Sequence, residues 1–194
     1  MAQETIEVMV KNFKQELRRR EASQVYSRYI LHGTCFALSE DQYWHLRQSV
    51  SDRFDIPLAN VLVVGSGKLG FSIAPTKRFR PFGDTSDVDV VVVSENLFDS
   101  VWVKVHKYCV DGGYWDQIHQ FQKYLFNGWI RPDMLPPPDT FQQTQEWWDF
   151  FQSLSASREY GLIKITGALY RNWYFLQEYQ LRGIKSCIDS LRED

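Results

Sequence analysis

Two short apolar runs constrain this chain most: Val61-Leu62-Val63-Val64 and Val90-Val91-Val92-Val93. Neither run has a polar side, and β-branched residues lose little by being extended. Such a segment reads as a strand buried on both faces. The second run is therefore the centre of a sheet rather than its edge. The first ends in Gly65-Ser66-Gly67, a tight turn, and the second is entered through Asp87-Val88-Asp89. Between them, Pro75, Pro81 and Gly83 forbid a long helix across residues 71 to 86.

Around these strands the spacing is helical. Ile6, Met9, Val10, Phe13 and Leu17 predict a helix through the first thirty residues, with Arg18, Arg19 and Arg20 as a solvated face. Ser39 with Gln42 three residues on is a capping box for a second helix, whose stripe is Leu46, Val50 and Phe54. Ser94 caps a third, carrying Leu97, Phe98, Val101, Trp102, Val105 and Cys109 on one side. Further helices are predicted through Trp115–Phe126, through Trp147–Phe151 and over residues 172 to 192. Pro132 and Pro136-Pro137-Pro138 mark residues 127 to 139 as a loop, and Leu162 to Thr166 is a third strand. The result is one α+β unit: a small mixed sheet flanked by helices, with a helical extension over 1–56, a core over 57–170 and a terminal helix over 171–194.

Its 194 residues suit one domain, and 44% hydrophobic with 24% charged residues excludes global disorder. A net charge of -2 argues against a protein that coats nucleic acid, so any such contact must be a local patch. Cys35, Cys109 and Cys187 are too few and too scattered for a disulfide framework, and nothing completes a metal shell around His32 and Cys35. The first 21 residues alternate charges with apolar positions, unlike a signal peptide, and no segment approaches a membrane span. A reduced, cytoplasmic protein is expected.

Gly65-Ser66-Gly67-Lys68-Leu69-Gly70 matches the spacing of a dinucleotide-binding loop, but that loop must open a full helix. Pro75 and Pro81 follow too soon. A phosphate-binding P-loop fails as well, because Gly70 precedes Phe71 and Ser72 rather than Lys and a hydroxyl residue. The glycine turn is better taken with the acidic pair. On an extended chain residues two apart share a side, so Asp87 and Asp89 project together. Adjacent carboxylates repel, and a hard divalent cation relieves them. Mg²⁺, or Mn²⁺, would take two protein carboxylates and fill its shell with phosphates and water. The turn would offer backbone N–H groups and the Ser66 hydroxyl to a triphosphate.

This combination resembles the DNA polymerase β-like nucleotidyltransferase superfamily: a Gly-Ser pair after one strand, then acid-x-acid on the next. The likeness is specific over Val61 to Val93 and elsewhere rests on element order. It implies that Asp87 and Asp89 hold catalytic Mg²⁺, that Gly65 and Ser66 with Gly67 bind the nucleotide's phosphates, and that an NMP passes from an NTP, ATP first, to a hydroxyl of RNA, protein or another nucleotide. Many members add a third carboxylate on a later strand. Leu162, Lys164 and Thr166 hold that side here, leaving Glu159 as the nearest acid, with Asp116 and Asp133 behind it. Without a third acid, the chain would be a nucleotide-sensing or partner-binding module, as in antitoxin-like or defence-system components. A synthase of oligonucleotide or cyclic-dinucleotide messengers is a further alternative, for which 194 residues leave little room.

The connection to Asp87 is long and carries Lys77-Arg78-Phe79-Arg80. Together with Lys68, Lys77 and Arg78 are candidates for the triphosphate or an acceptor strand, and Phe79 could stack on a base. Tyr170, Trp173, Tyr174, Phe175 and Tyr179 are read mainly as core, with base stacking as the alternative.

Overall fold

A computed structural model describes residues 2–193. Along the chain run α1 (Ala2–Arg19), α2 (Ala22–Tyr26), a π-helical turn over Ser27–Leu31, α3 (Glu40–Phe54), β1 (Val61–Val64), α4 (Gly65–Leu69) and β2 (Val88–Val93). Then come α5 (Glu95–Val110), α6 (Ile118–Phe126), β3 (Trp129–Ile130), α7 (Gln142–Ala156), β4 (Ile165–Tyr170) and α8 (Trp173–Glu193). The strands form one mixed sheet in the order β1-β2-β4-β3. β1 is antiparallel to β2, β2 is parallel to β4, and β3 is antiparallel to β4. The fold is α+β.

Period-two alternation divides the sheet. Val61, Val63, Val90, Val92 and Leu169 face a core built with α3, α5, α6 and α7. Leu62, Val64, Val91, Val93 and Tyr170 face a second core built with α1, α2 and α8. β2 is thus apolar on both sides because helices cover both sides. Each fully buried valine contributes about 1.5 kcal/mol or more over leaving it in water. Among the described residues, no helix is long and apolar enough to cross a membrane.

Local signals account for several boundaries. The Ser39 hydroxyl accepts from the Gln42 N–H while the Gln42 side chain accepts from the Ser39 N–H, closing the expected capping box. Ser94 accepts from the Leu97 N–H and starts α5. Elsewhere the fold departs from the spacing. The first helix stops at Arg19, because Glu21 and Gln24 form a capping box that starts α2. The glycine turn is the first turn of a five-residue helix, α4. The third strand runs over Ile165–Tyr170 rather than 162–166, which places Tyr170 in the sheet. The proline-rich loop also holds β3, two residues long, with Trp129 opposite Tyr170.

Candidate functional site

β1 delivers the chain to Gly65, whose φ of +67° lets it turn at once into α4. Opposite, β2 carries Asp89 paired with Val64 on one flank and Thr166 on the other. Every other β2 position is buried; Asp89 alone is exposed. An exposed carboxylate at mid-sheet requires an opening in the helical layer above it. One oxygen, Oδ1, accepts a hydrogen bond of 3.1 Å from the Thr166 hydroxyl. The other, Oδ2, lies 3.0 Å from where a Cβ on Gly65 would sit, so only glycine leaves that edge of the carboxylate free.

Asp87 precedes Asp89 by one strand period, and its Oδ2 lies 3.4 Å from Lys164 Nζ. The Lys164 carbonyl also accepts from the Val88 N–H, which fixes the start of β4 against the acidic pair. Water reaches Asp89, yet protein rings it. That surrounding is the largest cause of its carboxyl being held above the ordinary 3.8. The Thr166 hydroxyl opposes this rise, the Asp87 charge adds to it, and Lys77 and Lys164 oppose it. Tyr170 and Tyr179 feel the same carboxylate, and burial above all raises both phenols.

The structure therefore gathers Gly65, Asp87 and Asp89 in one neighbourhood within reach of the Lys77 charge, with Ser66 half-buried at the head of α4. Gly67 turns inward: its carbonyl accepts from the Ala37 N–H and the Cys35 thiol, and a Cβ there would point at Val88. Lys68 departs from the expectation of a phosphate ligand. Its ammonium is buried, donates to the Gly33 carbonyl at 2.7 Å and lies 5.4 Å from the Tyr43 ring centre. Arg78 reaches α8, where it donates to the Ser186 hydroxyl at 2.8 Å.

Glu159 stands apart as well: its carbonyl accepts from Gln42 of α3, and its charge is not among those acting on Asp89. Asp133 is held by Arg131 through two hydrogen bonds, and Asp116 lies exposed in the turn before α6. The position beside Asp89 on the neighbouring strand is Thr166. Thr166 and Lys164 carry the part of the site that motif reading did not single out; their period-two spacing into the strand was the available signal. Among the aromatics, Tyr170 stacks on Trp129 at 5.4 Å and 9°, and Tyr179 packs on Trp129 at 4.7 Å while remaining 45% exposed.

Among the described residues no three His, Cys, Asp or Glu side chains stand together as a metal-holding group. Of such side chains, a cation here would have the Asp87 and Asp89 carboxylates. Two hard carboxylates with open coordination space fit Mg²⁺, which keeps much of its shell for water and phosphate. No family model, curated protein or solved structure matches the chain.

Proposed function

We propose that this chain is a Mg²⁺-dependent nucleotidyltransferase of the cytoplasm, moving an NMP from an NTP to a hydroxyl and releasing pyrophosphate. The observation that supports this most is Asp89: the one exposed position of an otherwise buried central strand, one strand period from a second carboxylate and against a glycine that leaves its edge open. A divalent cation bound there would offset the triphosphate's charge and polarise its phosphorus. Asp87 and Asp89 hold that cation. The opening amides of α4 have no intrahelical acceptor, so with the Ser66 hydroxyl they are donors for phosphate oxygens. Lys77, exposed and acting on Asp89, adds positive charge on the same side.

A second reading is favoured by Thr166 and Lys164. A threonine beside Asp89 cannot take a proton from an attacking hydroxyl, and the Lys164 ammonium already neutralises Asp87. Both features suit a module that binds nucleotide without turning it over. The deciding experiment is transfer of label from α-³²P NTPs with Mg²⁺ or Mn²⁺, using wild type and Asp89→Asn, with the protein, bulk RNA and free nucleotides as acceptors. Label that depends on Asp89 supports the transferase. Label unchanged by Asp89→Asn overturns it, and calorimetric NTP binding without pyrophosphate release selects the binding module.

A further inference from the structure

A groove of about 450 Å³ runs between α1 and the 71–86 connection. Ile6, Val10, Phe79 and Pro81 give it an apolar lining; Lys11, Lys14 and Arg18 give it charge. The three cations are spaced i, i+3 and i+7, so they share one face of α1 and span about 10 Å along its axis. Phe79 has φ +59°, an uncommon backbone for a bulky residue. Its N–H on the Ser72 carbonyl and its ring against Phe71 hold it there, with the Lys14 ammonium 4.5 Å from the ring centre.

The preceding residue, Arg78, lines a second concavity of about 340 Å³ with Arg182, Lys185, Ser186, Asp189 and Ser190. The Arg78 Nε is buried there and has no acceptor among the described residues. The two concavities lie on either side of one loop: Arg78 lines the second and the next residue, Phe79, lines the first. Together they are lined by six cations and two acids, Glu7 and Asp189, on a chain whose net charge is -2. Next to Arg78 in the same connection stands Lys77, and its charge reaches Asp89.

The geometry points to a single-stranded nucleic acid as the occupant of this band. Its phosphates lie along Lys11, Lys14 and Arg18 and reach the Arg78–Arg182–Lys185 concavity, with a base displacing the Lys14 ammonium from the Phe79 ring as that ammonium turns to a phosphate. Cations on successive turns of one helix face suit a run of phosphates, and an aromatic ring beside them suits a base more than an acidic side chain. As a ligand this strand stands on the band alone; as the acceptor of the proposed transfer it rests on that reading.

The test is fluorescence anisotropy with a labelled 12-nucleotide oligo-U and oligo-dT, in EDTA and without NTP, so that neither metal nor transfer is needed. Four phosphate contacts at about 0.7 per contact give a log–log salt slope near -3, or roughly fifty-fold weaker binding from 50 to 200 mM salt. Lys11→Glu/Arg18→Glu and Arg182→Glu/Lys185→Glu are each expected to weaken binding more than tenfold, with circular dichroism melts like wild type. Should a reversal unfold the protein, the Gln versions replace it. Absence of oligonucleotide binding overturns the proposal, as does binding untouched by both pairs. Equal competition by poly-glutamate would make the band an acidic-peptide surface instead. Binding intact with no label transfer would sink the transferase reading and leave this one standing.

Discussion

Thr166 reaches across the parallel β2–β4 pair to donate its hydroxyl to Asp89 at 3.1 Å. The bond favours the charged carboxylate against the burial that disfavours it. Thr166→Val removes the donor at nearly constant shape. The Asp89 carboxyl is then expected to rise further, and Mn²⁺ binding at pH 6.5 to weaken by about tenfold, the lower end for losing a residue that supports a metal ligand. Titration followed by Mn²⁺ electron paramagnetic resonance measures this; an unchanged affinity would show that the bond does not tune the site. Thr166→Asp is expected to act oppositely, adding a third carboxylate beside Asp89.

Asp89 also sets a pH dependence. Its folded pKa lies above the ordinary 3.8, so between the two values the folded chain holds more protons than the unfolded one. Metal-free stability must therefore fall as pH rises through that window. Thermal melts in EDTA from pH 3.5 to 7 are expected to show this component in wild type and to lack it in Asp89→Asn, which should melt higher at pH 7. Added Mg²⁺ is expected to raise the wild-type midpoint and not that of Asp89→Asn. A variant that melts below wild type at pH 7 in EDTA would contradict the unfavourable burial of this carboxylate.

What the sequence disclosed was local. The valine runs, the Asp-x-Asp entry into β2 and the Ser39 and Ser94 caps each have their cause within a few residues. What it concealed has partners far along the chain. Lys68 sits beside a glycine turn and looks like a phosphate ligand, but its acceptor is the carbonyl of Gly33. β4 extends past Thr166 because Gly167 admits the Phe151 ring, which a Cβ would approach to 2.1 Å. Glycine and alanine carry little strand propensity, so packing rather than pattern places residues 167 and 168 in the sheet. β3, with two residues, is too short for any period to show.

Lys68 gives a sharp separation of roles. Burial holds its ammonium below the usual lysine range, and the Gly33 carbonyl is its hydrogen-bond acceptor. Lys68→Met strands that carbonyl while sparing the cost of a buried charge. The expected net is a loss of about 1–2 kcal/mol, within the penalty for leaving a buried polar group unpaired. Because the ammonium is engaged by the Gly33 carbonyl and the Tyr43 ring, NTP affinity by calorimetry is expected to stay within about twofold, a difference under 0.5 kcal/mol. A tenfold loss of NTP affinity in a folded variant would return Lys68 to the phosphates.

The close approach of Gly65 to Asp89 separates two neighbouring glycines. Gly65 has φ +67° and a methyl there would sit a tight 3.0 Å from Asp89 Oδ2, whereas a Cβ on Gly67 would meet the Val88 Cα at an ordinary 3.4 Å. Gly65→Ala is expected to cost about 1–2 kcal/mol from the left-handed backbone alone, and so to lower Tm by roughly 2–8 °C for a chain of this size. Its methyl also crowds the carboxylate edge, so Mn²⁺ binding should weaken beyond what the stability loss explains. Gly67→Ala lies within α4, where alanine is preferred over glycine by about 0.5–1 kcal/mol, so its Tm should equal or exceed wild type with metal binding intact. Melting curves and Mn²⁺ titrations of the two variants, run together, test the geometry: equal effects would mean that Asp89 and Gly65 are not in the close register on which the proposed metal site depends.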